Sequence, residues 1–88
     1  MEKSVHTKEY GVLRRLLREF REAESVTQVE LARRLGQTQS FVSKCERGEL
    51  RLDVIQLRSF CAALNTDLPT FIRKLESRLT RRRRRETN

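Results

Sequence analysis

Residues 27–48, TQVELARRLGQTQSFVSKCERG, decide the fold predicted for this chain. Thr27 comes just before an apolar run and Glu30 follows three residues later, a spacing that predicts a capping box at a helix start. Gly36 stands where this helix is expected to end, because glycine readily adopts the left-handed conformation that closes helices. A second short helix is predicted over residues 39–47. Two short helices joined by a three-residue turn form a helix-turn-helix.

The second helix of this motif has an unusual polar face. Thr38 is its expected N-cap, and Gly48 follows its last residue. On a helical wheel at about 100° per residue, the apolar residues, with Phe41 as a packing residue, fall on the same side as Glu46. The opposite arc lacks carboxylates and collects amides, hydroxyls and cations, which are the groups that contact base edges and phosphates. Its members are Gln39, Ser40, Ser43, Lys44 and Arg47.

Three further helices are predicted around this motif, so the expected fold class is all-α. The first spans residues 7–23, with Arg14 on an outer polar face, the fourth follows a capping box at Asp53, and the fifth follows Asp67. The fourth helix carries the apolar set Val54, Ile55, Leu57, Phe60, Cys61 and Leu64. In the fifth, the set expected to close the core is Leu68, Phe71 and Ile72.

Composition and charge favour a binding protein over an enzyme. The 88 residues carry a net charge of +8, which suits a polyanionic partner, although small soluble domains also carry positive charge. No stretch approaches the length of a membrane span, the N-terminus does not resemble a signal peptide, and no catalytic or nucleotide motif is present. Cys45, Cys61 and His6 do not form a zinc set, so we expect no metal and two reduced, buried thiols.

The arginine run at residues 81–85 separates a predicted domain, residues 1–80, from a basic tail, residues 81–88. The first 80 residues carry 15 basic and 11 acidic side chains, a net charge of +4, so the tail supplies half of the total charge. Three interpretations of the tail remain open. In the first, the tail is a disordered arm that adds phosphate contacts. In the second, it continues the fifth helix, with cations at the helix C-terminus. In the third, it contacts acidic lipid.

The helix-turn-helix residues also carry a family resemblance. The pattern TQxELAxxLGxTQSxVSKxExG over residues 27–48 resembles that of the Cro/C1-type (XRE-like) helix-turn-helix family. The likeness extends from about residue 10 to residue 75 and implies a five-helix, lambda-repressor-like DNA-binding domain. Three features depart from the family: Gln37 stands where a small aliphatic residue is common, Cys45 replaces a more usual aliphatic residue, and residues 49–53 lack the proline that is frequent there.

The resemblance implies a role for each polar position of the pattern. Gln28 would contact a DNA phosphate and brace Gln39, which opens the second helix of the motif. Gln39 and Ser40 would enter the major groove, with Lys44 as the next contact to a base or phosphate. The full set of predicted DNA-binding residues is Gln28, Gln37, Thr38, Gln39, Ser40, Ser43, Lys44, Arg47 and Arg51.

The resemblance further implies structural roles and partners. Glu46 would form a buried ion pair with Arg21 rather than contact DNA. The protein is predicted to be a cytoplasmic regulator, and a repressor, that binds double-stranded DNA sequence-specifically without a cofactor and without catalysis. A homodimer is expected because two half-sites multiply specificity, with Leu75 and Leu79 at the interface. Two alternatives remain: an antitoxin or controller-type protein whose main partner is another protein, and a charge-driven, non-specific nucleic-acid binder.

Overall fold

The computed structural model describes residues 7–87 of the chain, and the side chains of residues 7–84. Its five helices are α1 (Lys8–Ala23), α2 (Gln28–Leu35), α3 (Gln39–Arg47), α4 (Val54–Ala63) and α5 (Leu68–Thr87). Within the described residues there is no strand, so the predicted all-α fold and its order of helices are confirmed. His6, which we considered as a metal ligand, lies outside the described residues.

A side-chain oxygen caps the N-terminus of each helix in this part of the chain. Each cap accepts a hydrogen bond from the backbone N–H three residues later, which satisfies a donor that has no partner inside the helix. At α4 the capping box is complete, since the Gln56 side chain also accepts from the Asp53 N–H at 2.9 Å. The capping residues are Thr7, Thr27, Thr38, Asp53 and Asp67.

The capping box predicted for α2 forms only in part. Thr27 accepts from the Glu30 N–H at 3.0 Å, but the Glu30 carboxylate pairs with Arg33 and Arg34 instead of returning to Thr27. Two guanidiniums offer this carboxylate charge-assisted hydrogen bonds, which are stronger than one bond from a backbone amide. Arg33 and then Arg34 lower the pKa of Glu30 to about 2.

Two glycines end α2 and α3 in the left-handed conformation. The φ angle is 67° at Gly36 and 82° at Gly48. In each case the next backbone N–H folds back onto the helix: Gln37 donates to a carbonyl of α2 at 2.9 Å, and Glu49 donates to the Lys44 carbonyl at 2.8 Å. This closure reverses the chain within a few residues, so α2 and α3 can pack against each other across a three-residue turn.

One apolar core lies among the five helices. Val42, Phe60 and Phe71 are at most 2% exposed and lie at its centre. Cys45 and Cys61 are free and buried in the same core, as predicted, and burial raises the pKa of both thiols to about 11. Among residues 7–87, no group of three or more His, Cys, Asp or Glu side chains is placed to hold a metal ion.

Some apolar residues of the helical pattern lie outside this core. Val54 and Ile55 at the start of α4 are exposed, although they belong to the apolar set of that helix. Ile72 of α5 is also exposed, so the prediction that it closes the core is wrong. The apolar arcs of these helices are wider than the surfaces that neighbouring helices cover, and periodicity alone does not show which edge of an arc stays uncovered.

The helix α5 continues through the arginine run as far as Thr87. Its 20 residues span about 30 Å, so residues 81–87 of the predicted tail extend the helix, one of the three interpretations above. Arg78 ties the middle of α5 to α1 through two hydrogen bonds to Glu19, at 2.7 and 3.1 Å. The predicted boundary after residue 80 falls inside this helix and stays a prediction. Across residues 7–87, no helix is both long and apolar enough to span a membrane.

Candidate nucleic-acid interface

A buried ion pair joins α1 to α3. The Nε of Arg21 lies 2.6 Å from Glu46 Oε2, and its Nη2 lies 3.0 Å from Glu46 Oε1, the fork geometry of a bidentate pair. Arg21 also donates from Nη1 to the Val26 carbonyl at 2.8 Å. The two side chains are only 10% and 5% exposed, and the hydrogen bonds that Arg21 donates to Glu46 raise the pKa of Arg21. The structural pair implied by the resemblance is therefore confirmed.

The ion pair anchors a chain of side chains that ends on the outer face of α3. Gln28, the first residue of α2, donates from Nε2 to Glu46 Oε1 at 2.9 Å. The Oε1 of Gln28 accepts from Gln39 Nε2 at 2.6 Å. The predicted bracing of Gln39 by Gln28 is thus confirmed, and a buried charge orients an exposed amide through one intermediate residue. We call Arg21, Glu46, Gln28 and Gln39 the polar relay.

Further contacts from α1 hold the end of α3 and the loop after it. Arg14 Nη1 donates at 3.0 Å to the carbonyl of Glu46, one of the last carbonyls of a helix that lack a partner inside it. The Arg14 side chain lies close against Gly48, where an added Cβ would be 3.0 Å from Arg14 Cδ. The Tyr10 hydroxyl accepts from the Leu52 N–H at 2.9 Å and so fixes the loop between α3 and α4.

The prediction that Arg14 lies on an outer polar face is wrong. Arg14 is half-buried and caps α3, as described above. A signal for this role exists in the sequence, because Arg14 lies four residues after Tyr10 and seven before Arg21, which puts all three on one face of α1. The guanidinium of Arg51 lies over the Tyr10 ring, with its carbon 4.4 Å from the ring centroid.

Phe41 is half-buried, with its ring centroid 6.3 Å from that of Phe60, which agrees with the predicted packing role.

The predicted contact residues are accessible in this structure. Two of the predicted contact residues, Gln28 and Ser43, are also half-buried. The exposed ones are Gln37, Thr38, Gln39, Ser40, Lys44, Arg47 and Arg51.

An ionic cluster lies at the last turn of α3. Arg47 donates from Nε to Glu49 Oε2 at 2.8 Å and from Nη1 to Ser43 Oγ. The hydrogen bond from Arg47 lowers the pKa of Glu49, and the charge of Lys44 lowers it further. The spacing of Arg47 and Glu49 does not predict this pair, because residues two apart do not face each other on a helix. The left-handed Gly48 ends the helix and brings the two side chains together.

Comparisons with known proteins agree with this geometry. The helix-turn-helix domain family matches residues 12–71 of the chain. An XRE-family like protein from Pseudomonas syringae pv. tomato is 49% identical with a TM-score of 0.78, over 85% of this chain and 92% of that one. A structure of the clp gene regulator ClgR from Corynebacterium glutamicum is 25% identical with a TM-score of 0.77, over 90% and 84% of the two chains. A second ClgR structure is 28% identical with a TM-score of 0.70, over 78% and 88%. No curated protein matches the chain.

The matched residues run from α1 to the first turn of α5 and contain the whole polar relay. The family match spans well over half of the chain, and the similar protein from P. syringae covers most of it at high identity. The chain therefore belongs to the Cro/C1-type (XRE-like) helix-turn-helix family, a family of DNA-binding transcription regulators.

Proposed function

We propose that this protein represses transcription by occupying a specific operator sequence, with α3 in the major groove of double-stranded DNA. The observation that supports this most is the polar relay, which holds the exposed amide of Gln39 in one orientation from a buried ion pair. A side chain that is oriented in advance loses less conformational entropy when it meets a base. The proposal includes no catalysis and no cofactor, and it places the protein in the cytoplasm with its DNA.

Gln39 has the hydrogen-bonding groups that adenine requires. One N–H of its Nε2 is donated to Gln28, and the amide retains a second N–H and the Oε1 acceptor. This donor and acceptor match the N7 acceptor and N6 donor of adenine in the major groove. The Ser40 hydroxyl and the Lys44 ammonium, both exposed on α3, supply the next contacts, and lysine favours the acceptors of guanine.

The other predicted contact residues position the protein on the DNA backbone. Gln28 and Thr38 stand at the N-termini of α2 and α3, where backbone N–H groups and the helix dipole favour a phosphate. Contacts of this kind set the register of the protein on the duplex and carry no sequence information. The proposed set is Gln28, Gln37, Thr38, Ser43, Arg47 and Arg51.

The experiment that tests this function is selection of bound sequences from a random duplex pool. The full chain is compared with a Gln39→Ala, Lys44→Ala double variant and with Lys74→Ala, which removes the same charge from an exposed position of α5. We expect a two-fold-related motif for the full chain and for the Lys74 variant, and a blurred motif for the double variant. Equal retention of all sequences by the three proteins would contradict the proposal and favour charge-driven binding or a protein partner.

The proposal also includes a homodimer, because two-fold-related half-sites require two copies of α3. The interface predicted at Leu75 and Leu79 is partly used within the chain, since Leu75 packs against the core. Val54 and Ile55 at the start of α4 are more exposed, so we place the contact between copies there. Both residues follow directly on the loop after α3, which would bring the two copies of α3 near the dimer axis.

The oligomeric state of two lysine variants tests this interface. Ile55→Lys introduces a charge at the proposed contact, and Val29→Lys is a matched control, because the two residues are 68% and 66% exposed. We expect light scattering after gel filtration to report a dimer for the full chain and for the Val29 variant, and a monomer for the Ile55 variant. A dimer that persists in the Ile55 variant would remove this surface from the proposal.

A further inference from the structure

The carboxylate of Glu49 lies beside three polar side chains of α3 that could together bind an anion. Arg47 holds its carboxylate at 2.8 Å through Nε, and the same guanidinium reaches Ser43 Oγ through Nη1. Lys44 adds a positive charge nearby, which contributes to the lowered pKa of Glu49. Ser43, Lys44 and Arg47 are all residues that the proposed function assigns to DNA, yet in the free protein the Glu49 carboxylate pairs with Arg47.

The backbone fixes Glu49 in this place. Gly48 adopts a φ of 82°, and the Glu49 N–H returns to the Lys44 carbonyl at 2.8 Å. The side chain of Glu49 therefore starts one residue beyond the helix end and points back along the face that carries Arg47. Both side chains of the ion pair are 53% exposed, so water and other anions have access to it.

We propose that Ser43 and Arg47 form a binding site for one phosphate of the DNA backbone, and that Glu49 occupies this site in the free protein. Glu49 accepts from Arg47 Nε through one carboxylate oxygen, and a phosphodiester oxygen can accept from the same N–H, so the phosphate replaces Glu49 with little change in geometry. The exchange is easy because an exposed ion pair is weak. This inference rests on the proposed function and adds to it a named phosphate site and its internal competitor.

The internal carboxylate lowers affinity for every sequence alike. A phosphate that enters the site must displace Glu49 and then lies close to a like charge, and both effects are independent of base sequence. Glu49 therefore weakens specific and non-specific binding by the same factor and leaves their ratio unchanged. It also reduces the number of ions released on binding, because Arg47 already holds an anion before DNA arrives.

Glu49→Gln tests the proposal, with Glu22→Gln as the matched control. Glu22 forms an ion pair with Arg18 on α1 at 3.0 Å and is also 53% exposed, so both variants remove one negative charge from a similar pair. Binding of the full chain and of both variants is measured on the selected duplex and on a duplex of random sequence, over a range of salt concentrations. Thermal unfolding monitored by circular dichroism checks that all three proteins are folded.

We expect the Glu49 variant to bind both duplexes about two- to fivefold more tightly than the Glu22 variant at about 0.1 M salt. Its plot of log K against log salt should be steeper by up to about 0.9, the value for one additional phosphate contact. An added Arg47→Gln substitution should abolish this gain, because no guanidinium is then released. Methylphosphonate substitution of single phosphates should identify the one phosphate whose neutral form shows no gain.

Two results would overturn the inference. Equal affinity of the Glu49 and Glu22 variants would show that Arg47 does not exchange its partner, and weaker binding by the Glu49 variant would show that Glu49 orients Arg47 on DNA. Both results differ from failure of the proposed function itself, in which the unsubstituted chain binds neither duplex, or binds both equally and yields no selected motif.

Discussion

Glu46→Ala is expected to destabilise the fold by about 3–5 kcal/mol, because it leaves the buried guanidinium of Arg21 without its counter-charge. The structure shows which interactions the substitution removes. Arg21 is 10% exposed at the side chain and keeps only its bond to the Val26 carbonyl, and Gln28 loses its acceptor as well. A domain of this size has a total stability of roughly 4–13 kcal/mol. The substitution therefore removes a large share of it.

The assay for this prediction is thermal and urea unfolding followed by circular dichroism. At about 4–8 °C per kcal/mol for a chain of this length, the melting temperature of the Glu46→Ala variant should fall by about 12–40 °C. The double variant Arg21→Met, Glu46→Leu should recover much of this loss, because it buries no unpaired charge. A single variant within about 1 kcal/mol of the unsubstituted chain, or a double variant whose loss is the sum of two large single losses, would refute this reasoning.

The double variant also separates folding from DNA recognition. It is expected to fold, but Gln28 then has no carboxylate to donate to, and Gln39 loses the orientation that the polar relay provides. Discrimination between selected and random duplexes should therefore fall although the protein is stable. A folded double variant with full discrimination would show that Gln39 does not need the relay.

Three further predictions concern other parts of the chain. Gly36→Ala should lower the free energy of unfolding by about 1–2 kcal/mol, because alanine is strained in the left-handed conformation of this residue. Gly48→Ala should lower it clearly more, because its backbone is also left-handed and the added Cβ would lie 3.0 Å from the Arg14 side chain. Equal melting temperatures for the two variants would contradict this. Both cysteines have a pKa of about 11, so at pH 8 only about one thiol in a thousand is ionised, and a disulfide reagent should react quickly only after denaturant is added. Truncation after residue 80 should weaken binding about equally on all duplexes. It should also flatten the slope of log K against log salt by about 0.9 for each phosphate that the removed arginines neutralise. A selective loss of affinity for the operator would exclude a purely electrostatic role.

The sequence predicts the helices well because their boundaries depend on local chemistry. Thr38 and Asp53 cap helices through hydrogen bonds that span three residues, and Gly36 and Gly48 end them through a conformation that other residues avoid. None of these features needs a distant partner. The bounds of α1 to α4 and the start of α5 therefore follow closely from residue types and spacing, whereas α5 ends beyond the predicted boundary at residue 80.

The side-chain environment is predicted less well, because it depends on which surfaces meet. Val54 and Ile55 belong to the apolar set of α4 but remain exposed, since no other helix of residues 7–87 covers that part of α4. Glu30 has the spacing of a capping box but binds two arginines of its own helix. In both cases a local pattern permits two arrangements, and tertiary contacts or competing charges choose between them.

Family resemblance supplies the part of the site that residue patterns do not. It gives the Arg21–Glu46 pair and the bracing of Gln39 by Gln28, both of which the structure confirms. The ion pair of Glu49 with Arg47 follows from neither source, because it depends on the conformation of the residue between them.

The contacts of α1 with α3 have a consequence for how binding preferences change over time. Arg14 and Arg21 hold α3 from behind through Glu46, Tyr10 holds the loop after it, and none of the three is among the residues proposed to touch DNA. Small changes on this inner face of α1 would move the amide of Gln39 relative to the bases without altering any contact residue. Under the proposed function, variation of α1, in evolution or in a laboratory library, would therefore give new operator preferences while the exposed face of α3 stays the same.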